Sequence, residues 1–226
     1  RLPEGYDVNR HFNPRYNPWD QRLCLDPDAA LFKAIKHGDA EVVTDTIETF
    51  TEKGVKLGSG EELEADIIVT ATGLNLQMLS GLEAYIDGER FNVADRILYK
   101  GAMFNDVPNL LMWFGYTNAS WTLKADLTSE YACRLINHLD ATGTKIAVPR
   151  LKGKHVELEP FVDFSSGYFQ RAMGALPKQA KNAPWKLHQD YVKDIRNLRH
   201  GALEDEAMCF EKPHAGEAAA LLEAAE

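Results

Sequence analysis

The chain has 226 residues, with 25 lysines and arginines against 34 aspartates and glutamates, a formal charge of -9 with the histidines neutral. Apolar residues make up 45% and charged residues 26%, an ordinary globular composition that excludes disorder over most of the length. The acid excess excludes a general nucleic-acid binder, which needs clustered Lys and Arg, and the length suffices for one large domain or two smaller ones with a core.

Cys24, Cys133 and Cys209 are few and far apart, so neither a disulfide framework nor a close metal pair is expected. A reducing compartment, the cytoplasm, is the simpler reading. No run of about eighteen apolar residues occurs, and no transmembrane segment is expected. The nearest candidate, Val107 to Leu123, is broken by Pro108, Asn109, Gly115 and four Ser, Thr or Asn residues. No signal peptide is visible. The first residue is Arg1, not Met, and the chain reads as a piece of something longer.

Residues 1 to 28 are rich in turns, aromatics and prolines, and two Asn-Pro steps (13–14 and 17–18) disfavour a continuous helix there. So aromatic a segment must pack against something or line a cleft. Asp28 is the expected cap of a short helix, Ala29 to Lys36, ended by Gly38, with Leu31, Phe32 and Ile35 on its apolar face. Short strands follow at Glu41–Thr44, Thr46–Phe50 and Gly54–Leu57, joined by tight turns. Ile67, Ile68, Val69 and Ala71 form a nearly continuous apolar run, as a central parallel strand requires, and it ends at Thr72-Gly73, where a ligand can approach the backbone.

Asp87-Gly88 marks a turn, and short segments surround Leu98 and Tyr99. Leu110 to Phe114 is a second buried-strand candidate. Gly115, Tyr116, Thr117, Asn118, Ala119 and Ser120 follow, and then Leu123, Leu127, Tyr131, Leu135 and Leu139 recur at four-residue spacing. This helix should end near Asp140, before Gly143. Asn118, Ser120 and Thr122 are all candidate caps, and the residues do not choose between them. Trp185 to Leu198 reads as another helix, with Pro184 in its first turn and Leu187, Tyr191, Ile195 and Leu198 on one face. Ala215 to Glu226 is nearly all Ala, Glu and Leu, and a frayed helix is expected.

For chemistry, the most informative feature is strand, polar loop and helix at residues 110 to 139. A helix N-terminus offers unpaired N–H groups and partial positive charge, which can receive a phosphate, a carboxylate or the polarised edge of a flavin ring. An ordinary capped helix after a buried strand is the alternative, and the pattern alone leaves both open. No G-x-G-x-x-G and no G-x-x-x-x-G-K-[ST] occurs in the chain. The seven histidines include no H-E-x-x-H, no Cys/His cluster has zinc spacing, and no G-x-S-x-G elbow exists, so no metal site or serine nucleophile is expected. Arg22 reads as a surface charge from its surroundings alone.

Three strings then combine. Residues 15–24 (Arg15 to Cys24), 66–75 (Asp66 to Asn75) and 115–127 (Gly115 to Leu127) resemble flavin-containing monooxygenases of the Baeyer-Villiger type. Leu176-Pro177-Lys178-Gln179 and Pro184-Trp185-Lys186-Leu187, running into Tyr191, extend the likeness, which covers roughly residues 2 to 210. It implies an α/β, three-layer FAD/NAD(P)-binding (Rossmann-like) fold, only part of which this chain supplies. The family's FAD glycine loop, its F-x-G-x-x-x-H-x-x-x-W fingerprint and its NADP glycine loop are all missing here, so the likeness is to the C-terminal half. On that comparison residues 1–25 end a helical insertion and 26–73 close an NADP-binding domain. Residues 74–210 belong to the FAD-binding domain with a substrate-side segment, and 211–226 form a frayed tail.

The resemblance implies FAD and NADPH as cofactors. It implies insertion of one oxygen atom of O2 next to a ketone carbonyl or onto sulfur. Arg22 takes the place of the family's catalytic arginine, whose permanent charge would stabilise negative charge on the flavin-bound oxygen and the substrate adduct. Gln21 stands where several relatives have a lysine near the NADP 2'-phosphate, a departure that puts that contact in doubt. Thr72 and Gly73 match the crossing between the two dinucleotide domains. Tyr116 to Ser120, following Gly115, match the loop and helix start at the flavin's pyrimidine edge, where a helix dipole would favour reduced flavin. Oligomerisation and peripheral membrane association stay open. So do two other readings, an inactive truncated relative and a non-catalytic interaction domain.

Overall fold

The computed structural model describes residues 2–18, 20, 21 and 23–212. The chain divides into two compact units, Arg1–Leu74 and Asn75–Glu226.

In the first unit, helix α1 (Val8–Phe12) starts at Asp7, whose side chain accepts from the Arg10 N–H at 3.0 Å. Tyr6, His11 and Phe12 of this segment do pack. Tyr6 meets His11 and Phe12, and Phe12 meets Phe32 of helix α2 (Ala30–His37) with ring centroids 5.4 Å apart. The cap of α2 is not Asp28. Asp28 and Ala29 take left-handed backbone (φ 59° and 54°), and this bend brings Asp26 under the helix start. Asp26 accepts from Ala30 N and Leu31 N at 3.1 and 3.2 Å. Gly38, at φ 81°, ends the helix as expected.

Strands β1 (Ile47–Phe50), β2 (Gly54–Leu57) and β3 (Glu62–Glu64) form an antiparallel meander in that order. Glu41–Thr44 is not a strand. Thr44 instead engages the His11 ring nitrogen Nδ1 at 2.9 Å through its hydroxyl. The run at 67–71 pairs with nothing among the described residues either, and Ile67 and Val69 are 82% and 83% exposed. A central parallel strand needs a neighbour on each side for its N–H and C=O groups, and here every ladder between named strands is antiparallel.

The second unit opens with a hairpin, β4 (Tyr85–Ile86) and β5 (Glu89–Arg90), turned by Asp87 and Gly88 at positive φ. A second hairpin, β6 (Leu98–Tyr99) and β7 (Met103–Phe104), turns at Lys100 and Gly101. Helix α3 (Trp121–Thr142) is the longest element, and Gly143 closes it at φ 67°. Strand β8 (Ile146–Pro149) pairs with β11 (Met208–Glu211), and β9 (Leu158–Pro160) with β10 (Lys178–Ala180). Helix α4 (Gly167–Ala172) lies between β9 and β10.

Two apolar clusters form the core of this unit. One gathers Tyr99, Met103, Leu127, Tyr131, Leu135, Trp185 and Leu198; the other gathers Leu98, Phe104, Phe161, Phe164, Leu176 and Leu187. The α3 stripe is buried at Leu127, Tyr131 and Leu135 but surfaces at Leu123. Leu110–Phe114 joins no ladder. It is held by Met112 N donating to Ala102 O at 2.8 Å, and its side chains alternate: Leu111 enters the first cluster, Leu110, Met112 and Phe114 the second.

The helix expected from Trp185 starts six residues later, as α5 (Tyr191–Asp194), and continues in a π turn, Ile195–Arg199. Asp190 caps it, accepting from Lys193 N at 3.0 Å. The backbone of 184–187 is used elsewhere: Pro184 O accepts from Lys100 N, Trp185 O from Ala180 N, and Leu187 N donates to Gln179 Oε1. Trp185 meanwhile stacks edge-on against Tyr99. These partners in other segments replace the helical hydrogen bonds. Residues 215–226, the other expected helix, lie outside the described residues. Among the described residues no helix is long and apolar enough to cross a membrane.

Candidate functional site

The segment 115–120 stands at the start of α3. Gly115 is buried, and a Cβ there would run into the Trp121 ring, so any other residue at this position displaces that ring. Ser120 is the N-cap residue but makes no side-chain cap bond; its hydroxyl pairs with that of Thr122 at 2.7 Å. The helix start therefore keeps first-turn N–H groups that the Ser120 side chain does not cap.

The irregular segment just before α5 grips this loop. Gln189 Oε1 accepts from Thr117 N at 2.8 Å and from the Thr117 hydroxyl at 3.2 Å, and Asn118 Nδ2 donates to Gln189 O at 3.4 Å. The other end of the same amide, Gln189 Nε2, is buried with no acceptor among the described residues. Beneath the loop, Tyr116 is 1% exposed and its hydroxyl donates to Asp194 Oδ2 at 2.7 Å. Lys124 Nζ lies 2.7 Å from the same oxygen as an ion pair outside hydrogen-bond alignment. Both charged side chains are at most 2% exposed.

Burial pushes the Lys124 ammonium down from its ordinary range, against the opposing pull of Asp194. Burial first, and then the Asp194 carboxylate, raise the Tyr116 phenol well above its ordinary value. His188 is held low, chiefly by burial. An uncompensated charge here would cost about 3–5 kcal/mol, so the pair acts as a unit.

The structure therefore brings Gly115, Tyr116, Thr117, Asn118, Ala119 and Ser120 together at one helix start. Gln21, Thr72 and Gly73 belong to the other unit. Gln21 is half-buried and bridges to Pro18. Thr72 and Gly73 are exposed, Gly73 with φ 100°, and Thr72 lines an apolar cleft of about 300 Å³ with Ile47, Phe50, Leu57 and Ile68. Arg22 lies outside the described residues. The described residues hold no group of three or more His, Cys, Asp or Glu placed to bind a metal.

Sequence reasoning missed Lys124, Gln189 and Asp194. A signal existed for two of them. Lys124 is three and seven residues before Leu127 and Tyr131, and Asp194 falls between Tyr191 and Leu198 at spacings of three and four. Each is a charge on an apolar stripe, which places it inside and requires a partner.

No protein-family model and no solved structure matches the chain. Over 212 residues it is 54% identical to the FAD-containing monooxygenase EthA of Mycobacterium tuberculosis (strain ATCC 25618 / H37Rv), covering 94% of this chain and 43% of that protein. Over 206 residues it is 47% identical to the probable FAD-binding monooxygenase AlmA of Acinetobacter baylyi, covering 90% and 41%. Over 211 residues it is 44% identical to the putative FAD-containing monooxygenase MymA of Mycobacterium tuberculosis, covering 93% and 42%. Such identity over nearly the whole chain makes it a close homologue of the mycobacterial EthA and MymA family of FAD-containing monooxygenases, of whose members it spans less than half the length.

Proposed function

We propose that this chain forms the flavin-edge portion of an NADPH- and FAD-dependent monooxygenase of the Baeyer-Villiger type, acting on a ketone or on sulfur. One observation carries the reading. The 115–120 loop opens a 22-residue helix whose N-cap residue, Ser120, makes no side-chain cap bond, and beside it a buried amide N–H group has no acceptor among the described residues. These are donors waiting for an acceptor-bearing group, and the pyrimidine edge of a flavin is such a group.

When bound, the flavin supplies the redox chemistry and the activation of O2, with NADPH as reductant. The chain's own part is positioning and charge. The start of α3 directs N–H groups and the positive end of the helix dipole outward, which favours an anionic ring edge. Gln189 and Asn118 hold the loop in register. Arg22 is assigned the role of stabilising developing negative charge with a guanidinium that does not give up its proton. Gln21, Thr72 and Gly73 are assigned to the NADP side, where the exposed, left-handed Gly73 backbone admits close approach. In the complete protein, residues 67–71 and 110–114 serve as strands of three-layer dinucleotide-binding sheets. The exposure of Ile67 and Val69 supports this.

The absorbance spectrum of the protein containing this chain, followed by NADPH oxidation with ketone and thioether substrates under ¹⁸O₂, tests the proposal. A flavin spectrum and one labelled oxygen atom in the product are expected. A colourless protein that takes up no FAD overturns it. The isolated 226 residues, without a pyrophosphate-binding glycine loop of their own, are expected to take up no flavin.

A further inference from the structure

The Lys124–Asp194 pair has no evident reason to be where it is on grounds of stability. A buried ion pair is commonly matched or bettered by apolar residues of similar volume. This one is spread over two elements, with Lys124 in the opening turns of α3 and Asp194 in the last turn of α5, and it takes the hydroxyl of Tyr116 as a third member. Tyr116 is part of the loop that Gln189 grips five residues before Asp194. Tyr191 stands edge-on to Tyr116 at 6.5 Å, Asp190 adds a second negative charge near the phenol, and His188, held low by burial, lies close with Lys186 and Lys193 around it. Solvent does not reach the pair, so its field is little screened.

We propose that Lys124, Asp194 and Tyr116 are positioning residues for the flavin-edge loop: they fix its place through Tyr116 and set the local electrostatic potential through the charge balance of the pair. This rests on the functional reading above. A cation below the helix start adds to the helix dipole and favours electron uptake by a group bound there. The carboxylate offsets it. The balance between the two is therefore a built-in setting of redox potential.

The test is the flavin midpoint potential of the flavin-loaded protein containing this chain, in four forms. Lys124→Met lowers the potential, Asp194→Asn raises it, and the double variant returns it close to wild type. Loss of packing alone would not give opposite signs. The double variant leaves no uncompensated charge buried, and a potential in it that departs from wild type overturns the inference; if either single variant fails to fold, unchanged flavin retention in Tyr116→Phe, which keeps the pair intact, overturns it too. Tyr116→Phe keeps both charges and leaves the potential in place. It weakens flavin retention by about tenfold, the lower range for a hydrogen bond to a charged acceptor. Equal potentials in all flavin-loaded forms, or shifts of one sign in both single variants, overturn this inference alone. A wild-type protein that takes up no flavin overturns the functional reading and this inference with it.

Discussion

Asp205 shows how one residue gathers a neighbourhood. Burial pushes its carboxyl up, but the Tyr99 hydroxyl at 2.6 Å, the N–H groups of Met208 and Ala207 and the Lys100 ammonium outweigh that and hold it below the usual range. A carboxyl lowered on folding contributes stability that is present above its unfolded value of about 3.9 and is lost as pH falls through the folded value. Urea unfolding of the chain between pH 7 and pH 2.5 should show this acid loss, and Asp205→Asn should flatten it while lowering stability at pH 7. Gly115 makes the opposite point, since what matters is an atom it lacks. Gly115→Ala forces the Trp121 ring aside and should cost about 1–3 kcal/mol by the same measurement. Neither effect was legible beforehand: the partners of Asp205 lie up to 106 residues away, and the clash at Gly115 depends on where the Trp121 ring packs.

At the scale of elements, α2 and α3 separate what pattern reveals from what it hides. The stripe Leu127, Tyr131, Leu135 was readable because a period of four in apolar residues has one helical meaning. Leu127→Ala should cost about 2–5 kcal/mol in chemical denaturation, whereas Leu123→Ala, at a surface position of the same stripe, should cost well under that. For α2 the end at Gly38 was legible and the start was not. Two residues at positive φ shift the capping role from Asp28 to Asp26. Asp26→Ala should therefore destabilise by about 1 kcal/mol. Asp28→Gly, which suits φ 59°, should change stability by less than about 0.5 kcal/mol. Thermal unfolding followed by circular dichroism distinguishes the two.

At the scale of the whole molecule, two apolar runs read as strands because continuous apolar sequence is what a doubly covered strand requires. Among the described residues neither finds a ladder, and the runs end differently. Leu110–Phe114 is half-buried between two clusters; Ile67 and Val69 face solvent. Exposed β-prone apolar residues drive association. The isolated 226-residue chain should self-associate with rising concentration in sedimentation velocity, and Ile67→Lys with Val69→Lys should reduce it. Unchanged association in that variant would place the sticky surface elsewhere.

Local order was decided within the sequence: the turn at Asp87-Gly88, the apolar stripe of α3, its stop at Gly143, and the strings that point to flavin monooxygenases. Each depends on residues a few positions apart, whose backbone preferences act in any context. Tertiary structure decided where α5 begins, which aspartate caps α2, and that Lys124, Asp194 and Tyr116 share one buried oxygen. The shared oxygen depends on partners 70 or more residues apart, the cap on two neighbouring residues at positive φ, and the start of α5 on a competition between helical hydrogen bonds and bonds to other segments, as at Pro184 and Trp185. Only packing settles such a competition, because the backbone groups are satisfied either way and the buried side chains choose.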